Sequence, residues 1–494
     1  MKRVSIFTFV LFACLVLFAS QYQLTSTLAQ NLKQDRASAT SRDVPRELQG
    51  SPVTPTASAI VNMTDLVRRQ AETPPDLTPG VMVPPNPIFN EEDVVQPNDG
   101  VPRAMKAPAS SDGPTSDRPS TPQVASPSPV TSYLGHNDVV KVGTGTIVIP
   151  PDTTGAVGLT KVVTSLNNNY VIQTKTTGAQ LSAVSMDTFW AATGATGTFD
   201  PRVVYDPYND RWIVSGVSDA EAANSSILIG VSTTSDPSGT YFLFRFDVDA
   251  TNLNWADFPL VGFNKNWISI NVNMIVTSSG AFVDGKNLVL DYAQLRTNVF
   301  AGAVFNLAGG TGFCVSPAIT YSTTETNLYA PVNLSSGGAT YQVDTIAGVP
   351  PTPTYTVGTS KVRTGGAWAQ PGGNILPQAA PLSGASVCGG TPCKMETQDA
   401  QIRSNSIFRN GFIYYAQTVG LPSGGLTHTG VQWTKLTAAT GNFADGGRVE
   451  DATATATNGG KWYAYASISV NSNNDVMFGF SQFSSSQFPA AGYT

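Results

Sequence analysis

Hydrophobic positions along this chain fall into short runs separated by turn residues, and four of these stretches repeat one phrase. Pro201 to Val217 reads PRVVYDPYNDRWIVSGV, and Pro259 to Val272 reads PLVGFNKNWISINV. Ser404 to Ala416 reads SNSIFRNGFIYYA, and Tyr465 to Phe480 reads YASISVNSNNDVMFGF. Each phrase is an apolar run, a turn built on Asn, Asp or Gly, and a second run rich in aromatic or β-branched residues. That is a β-hairpin pattern, because Asn, Asp and Gly tolerate the positive φ of tight turns. The second runs are nearly continuous in apolar residues, which predicts strands buried on both faces. No segment from Tyr133 onward repeats at the helical period.

The spacing of the phrases extends the prediction from hairpins to architecture. The turns at Asp210 and Asn266 lie about 56 residues apart, and those at Gly411 and Asp475 about 64 apart. Ile227 to Val248 supplies two more strands around an Asp-Pro-Ser-Gly turn, and Gly155 to Thr174 is a looser copy of the phrase. Four strands at such a period predict an all-β, β-propeller-like domain of about six to seven four-stranded blades, with an incomplete last blade as one expectation. A series of β-sandwiches is the alternative, but sandwiches need not repeat one hairpin phrase.

The rest of the chain reads differently. Lys2 and Arg3 precede an apolar run from Val4 to Ala19, and Thr27-Leu28-Ala29 offers small residues for cleavage. This predicts a signal peptide over 1–29, since the run is shorter than the ~20 apolar residues of a spanning helix. Residues 30–132 are rich in Pro, Ser and Thr and poor in aromatics, which predicts a disordered linker ahead of a β domain over 133–494. Within it, Val61 to Glu72 has the pattern of one amphipathic turn. Removing Lys2 and Arg3 takes the net charge from −6 to −8, and no Lys/Arg cluster exists. Nucleic acid and anionic membrane surfaces are therefore poor partners, and no membrane insertion is expected after signal cleavage.

Candidate chemistry is sparse. Asp200, Arg202 and Asp206, with Asp210 and Arg211, form the densest charged group. The carboxylates suit calcium or glycoside cleavage, or else they cap turns while the arginines pair with a neighbouring blade. Asp247, Asp249 and Asp257, with Asn252 and Asn254, form an oxygen-rich stretch that suits calcium, although the Gly and Glu of an EF-hand loop are missing. Cys388 and Cys393 are spaced to staple a small loop, leaving Cys314 as a buried thiol. The two histidines, His136 and His428, accompany no nucleophile motif, and no zinc, P-loop or dinucleotide signature appears. Of the tryptophans, Trp212 and Trp267 hold equivalent repeat positions and read as core. Trp255 and Trp368 read as loop residues and hence as ligand contacts.

A set of strings in order carries a family resemblance. Pro151-Asp152-Thr153-Thr154-Gly155-Ala156-Val157-Gly158 comes first, then Phe199-Asp200-Pro201-Arg202-Val203-Val204-Tyr205-Asp206 with Arg211-Trp212. Thr234-Ser235-Asp236-Pro237-Ser238-Gly239, Ala256-Asp257-Phe258-Pro259 and Ser484-Ser485-Ser486-Gln487-Phe488-Pro489 complete it. Together they resemble a broad family of secreted, mostly bacterial proteins with a propeller-like β domain and no assigned biochemical activity. The family tends to place Pro-Asn-His after the glycine at Gly158, where this chain has Leu159-Thr160-Lys161. The resemblance also implies a further blade segment after the last strings.

Three functions are compatible with this reading. The first is an extracellular or cell-surface propeller that binds a glycan or protein through loops on one face. The second is a carbohydrate-active hydrolase with Asp or Glu near the axis, and the third is a structural envelope component.

Overall fold

The computed structural model describes residues 44–72, 81–83, 128–136, 146–148, 151–167, 169–307, 312–334, 339–379 and 394–494. Met1–Pro45 forms one unit, almost wholly outside the described residues, and Arg46–Thr494 forms the other. The expected signal peptide over 1–29 and the Cys388–Cys393 staple both fall outside the described residues.

The second unit begins with three short strands, β1 (Arg46–Leu48), β2 (Ser51–Pro52) and β3 (Ala57–Asn62), and the helix Met63–Glu72. β4 (Val81–Val83) pairs in parallel with β5 (Thr146–Val148). A first four-stranded antiparallel meander follows, made of β6 (Thr154–Val157), β7 (Lys161–Leu166), β8 (Asn169–Thr174) and β9 (Gln180–Ser185). The second is β10 (Phe199–Asp206), β11 (Arg211–Ser218), β12 (Ser226–Ser232) and β13 (Thr240–Phe246). The third is β14 (Asn254–Phe263), β15 (Trp267–Val276), β16 (Phe282–Asp291) and β17 (Gly302–Asn306).

Then come β18 (Ala318–Tyr321) and a smaller sheet of β19 (Leu328–Asn333), β20 (Thr340–Val349), β21 (Thr352–Val357) and β22 (Lys361–Val362). A two-stranded pair, β23 (Asn374–Leu376) and β24 (Met395–Glu396), separates these from the fourth meander. That meander is β25 (Ser406–Arg409), β26 (Phe412–Leu421), β27 (His428–Thr437) and β28 (Asn442–Val449). A three-stranded sheet of β29 (Trp462–Val470), β30 (Val476–Ser484) and β31 (Gln487–Tyr493) ends the described chain.

Among the described residues this is a mostly β, propeller-like arrangement with four four-stranded blades. The sheets establish four of the six to seven such blades expected. The sheet from β19 to β22 and the last sheet depart from the four-strand meander. Where blades meet at their inner strands, β18 pairs in parallel with β14 at Phe263↔Ile319 and with β25 from Ala318↔Ser406 to Tyr321↔Arg409.

The packing explains why the second runs of the phrase carry no polar alternation. In β10 and β11, Val203, Tyr205, Trp212 and Val214 face one apolar cluster with Tyr170, Phe189 and Trp190 of the first blade region. Val204, Ile213 and Val217 face another, with Val261, Ile268 and Leu288 of the third blade. Both faces of the sheet are thus buried between neighbouring sheets, and Trp212 and Trp267 are core. At about 25 cal/mol per Å² of apolar area, this two-sided burial is the main stabilising term.

Neighbouring sheets are also tied at matching backbone positions. Asp200, Phe258, Cys314 and Tyr465 have φ of 51°, 49°, 51° and 55°, a left-handed conformation rare for side-chain-bearing residues. Each donates its N–H to a side chain from elsewhere in the fold. Asp200 donates to Asn167 Oδ1 at 2.8 Å, and Phe258 to Asp200 Oδ2 at 3.0 Å. Cys314, fully buried, donates to Asn273 Oδ1 at 3.1 Å, and Tyr465 to Thr418 Oγ1 at 3.1 Å. In the second, third and last sheets these positions fall at register shifts, at Phe199/Arg202, Asp257/Leu260 and Ala464/Ser467.

The linker expectation over 30–132 does not hold for 46–72. β1 pairs with β21, β2 with β17, and β3 with β13 over six registered residues, Ala57↔Arg245 to Asn62↔Thr240. The helix follows with Asn62 Oδ1 accepting Asp65 N–H, and its Met63 and Leu66 join the core. Gln70 then imitates a strand: its Oε1 accepts Ser185 N–H at 3.0 Å and its Nε2 donates to Ala183 O at 3.3 Å, on β9. This segment is too poor in apolar residues to fold alone. It is ordered because β9, β13, β17 and β21 present outer-edge hydrogen-bonding groups that it satisfies. The one amphipathic turn expected between Val61 and Glu72 is a helix of 10 residues.

Candidate functional site

The turns of the repeated phrase converge. In the second blade, Asp206 closes the turn: its Oδ1 accepts the N–H groups of Tyr208 at 2.8 Å and Asn209 at 3.3 Å. Its Oδ2 accepts Asn209 Nδ2 and the buried Tyr292 hydroxyl, each at 2.7 Å. In the third blade, Asn264 Oδ1 accepts from Asn266 and Trp267 N–H, while its Nδ2 donates to Thr326 O at 2.9 Å in the loop after β18. That loop is shaped by Ser322 Oγ, which accepts from Thr324 and Glu325 N–H, and by Glu325 Oε1, which accepts from Asn327 N–H at 2.8 Å. In the fourth blade, Asn410 and Gly411 turn at positive φ, and Asn410 Nδ2 donates to Ser472 O and Asn474 Oδ1 in the turn between β29 and β30.

Two adjoining clefts open among these turns. One of about 420 Å³ is lined by Tyr208, Tyr321, the loop Ser322 to Glu325, Phe408, Asn410 and Gly411. The other, about 200 Å³, is lined by Asp206, Tyr208, Asn209, Phe263, Asn264, Lys265, Thr320, Ser322 and Thr323. Tyr208, Ser322 and Thr323 belong to both, and Tyr208 is 46% exposed. The Arg409 guanidinium lies 4.3 Å from the ring centre of the lining residue Tyr321, and burial raises the Tyr321 hydroxyl above its ordinary pKa.

The expected site residues do not gather there, Asp206 excepted. Asp200 is buried, with Oδ2 holding the Phe258 N–H. Arg202 donates from Nε to Pro259 O at 2.7 Å and lies 4.6 Å from the Phe258 ring centre, and Arg403 stacks on the same ring at 4.8 Å. Asp206 borders the smaller cleft, but both its oxygens are occupied in the turn. These three are structural ties, not a convergent reacting group.

The stretch expected to suit calcium is held by its own hydrogen bonds. Asp249 Oδ1 accepts from Thr251 N–H and Oγ1, and its Oδ2 from Leu253 N–H, Asn254 N–H and Asn254 Nδ2. Burial pushes its pKa up, but the bonds from Thr251 and Asn254 and the charge of Lys286, 3.8 Å away, outweigh that and hold it below the ordinary value. Asp247 Oδ1 accepts the Asp249 N–H, and Asp257 lies within β14 opposite Asn273. Among the described residues no group of three or more His, Cys, Asp or Glu is placed to hold a metal ion.

Trp255 and Trp368 are not exposed loop contacts. Trp255 lies in β14, 6% exposed, against Phe258, Leu260 and Phe313. Trp368 is 3% exposed, packed with Ala400, Val419 and Leu421. The hairpin turns are legible in the sequence, but of the residues that line the clefts only Asp206 was expected to contact a ligand. The signal available for the cleft was the Tyr in Asp206-Pro207-Tyr208-Asn209, an aromatic placed where a turn needs none.

No family model and no curated protein matches this chain. Among solved structures, a hypothetical selenium-binding protein from Sulfolobus tokodaii aligns at TM-score 0.37 and 8% identity, over 68% of this chain and 75% of that one. A GH43 endo-arabinanase from Bacillus licheniformis aligns at 0.28 and 11% identity, over 69% and 92%. An endo-arabinase from Bacteroides thetaiotaomicron aligns at 0.29 and 12%, over 60% and 92%. Likenesses this loose carry no argument about function. No helix among the described residues is long and apolar enough to cross a membrane.

Proposed function

We propose that this protein is a non-catalytic extracellular module that binds a glycan or protein ligand through the loops of one face. The observation that supports it is the convergence of hairpin turns from successive sheets on a cleft with a half-exposed tyrosine. The Asn264 turn is bonded to Thr326, the Asn410 turn to Ser472 and Asn474, and the Asp206 turn to Tyr292, so the cleft is preorganised, and a preorganised surface loses little freedom on binding. The carboxylates offered by the sequence as reacting groups are committed to backbone and side-chain donors. We read the sheet from β19 to β22, with β18 as its inner strand, and the last sheet as two further blades, which makes six in this proposal. Secretion follows from the expected signal peptide.

The experiment incubates the purified protein with a panel of insoluble polysaccharides and scores both protein depletion and released reducing sugar. Depletion without release is the expected result. Sugar release would replace this reading with that of a hydrolase, and neither signal on any polysaccharide would direct the reading to a protein ligand.

A further inference from the structure

We infer that the cleft where the turns converge takes an uncharged sugar ring, stacked on Tyr208, and rejects acidic saccharides. This rests on the binding-module reading and adds the site and the ligand class. The larger cleft, about 420 Å³, falls in the range of about 300–1,000 Å³ typical of small-ligand sites. Tyr208 stands at the seam of the two clefts with nearly half its surface free. A flat aromatic face beside polar groups suits a sugar, which presents an apolar C–H face and a rim of hydroxyls.

The polar groups are at hand. Thr323 lines both clefts. Asn410 lines the larger, and its Nδ2 is committed to Ser472 O and Asn474 Oδ1, which turns its amide into an acceptor for a sugar hydroxyl. Charge decides between ligand classes. The lining residues include Asp206, Glu325 and one cationic residue, Lys265, while the nearby Arg409 guanidinium is held against the Tyr321 ring. Recognition of a uronate, sulfate or phosphate calls for a cationic cluster, and the lining residues supply none.

The test is calorimetry with the purified protein. Neutral arabino-, xylo- and cello-oligosaccharides are compared with oligogalacturonides of equal length, for the unaltered protein and for Tyr208→Ala, Tyr208→Trp and Phe488→Ala. Phe488 is an exposed ring on β31 that lines neither cleft. The inference expects binding of a neutral oligosaccharide, weakened about tenfold by Tyr208→Ala, and kept by Tyr208→Trp and Phe488→Ala. Neutral binding that Tyr208→Ala leaves unchanged overturns the site while the module reading stands. Oligogalacturonide binding as tight as neutral binding overturns the ligand class. Polysaccharide depletion with no oligosaccharide binding also overturns this inference alone, whereas absence of both overturns it together with a glycan ligand for the module.

Discussion

Asp200 illustrates how a residue with the look of catalysis serves the backbone. It adopts φ of 51° itself and supplies the acceptor for the next residue of this kind, Phe258 at 49°. Asp200→Ala leaves the Phe258 N–H without that acceptor in a buried place, and should cost about 2 kcal/mol in urea unfolding. Asp200→Asn keeps a carbonyl oxygen and should cost less; equal losses would refute the tie. Asp344 carries a pH dependence. Burial pushes its carboxyl from the usual 3.8 up to about 6, against the bonds it accepts from Gly358 N–H, Tyr355 OH and Gln342 Nε2. The folded state therefore holds this proton more tightly than the unfolded one. Its contribution is complete below about pH 3.8 and is lost as pH rises through about 6, a change of roughly 3 kcal/mol. Thermal midpoints measured from pH 4 to 7 should fall with rising pH by this component, and Asp344→Asn should remove it.

At the level of elements, the N-terminal segment is the unexpected part of the fold. Successive pieces of 46–72 cover the outer edges of β21, β17, β13 and β9, each of which would otherwise present unpaired N–H and C=O groups. Deleting 46–72 should lower the thermal midpoint and promote aggregation, read by light scattering on heating. Leu66→Ala is the milder probe. It removes a buried side chain from the cluster shared with Phe189 and Tyr241, and should cost about 2–3 kcal/mol with no effect on sugar binding. If the deletion left both stability and solubility unchanged, the segment would be a loosely held tail.

For the whole molecule, the arrangement separates a stability role from a binding role. Apolar contact lies between sheets, while the hairpin turns are gathered where the clefts open, so loops there can vary without disturbing the packing. The Asp247–Asp257 stretch belongs to the first role, because its central carboxylate already has five donors and a lysine nearby. Chelation with EDTA should leave the thermal midpoint unchanged, and a rise on adding calcium would show a bound ion that this geometry does not provide.

The sequence by itself determined the strands and the turns. A stretch such as Trp212-Ile213-Val214 specifies a strand buried on both faces, and Asn410-Gly411 specifies a tight turn, because both follow from interactions between near neighbours. The resting places of Trp255 and Trp368, both buried, were not legible from position in the chain, and neither was the covering of four edges by 46–72. The same holds for the cleft, whose turns run from Asp206 to Asn410 and are braced by Asn474. These depend on contacts between residues tens to hundreds of positions apart. Local pattern fixes what each segment is, while the packing of sheet on sheet decides which side chains it hides and which it brings together.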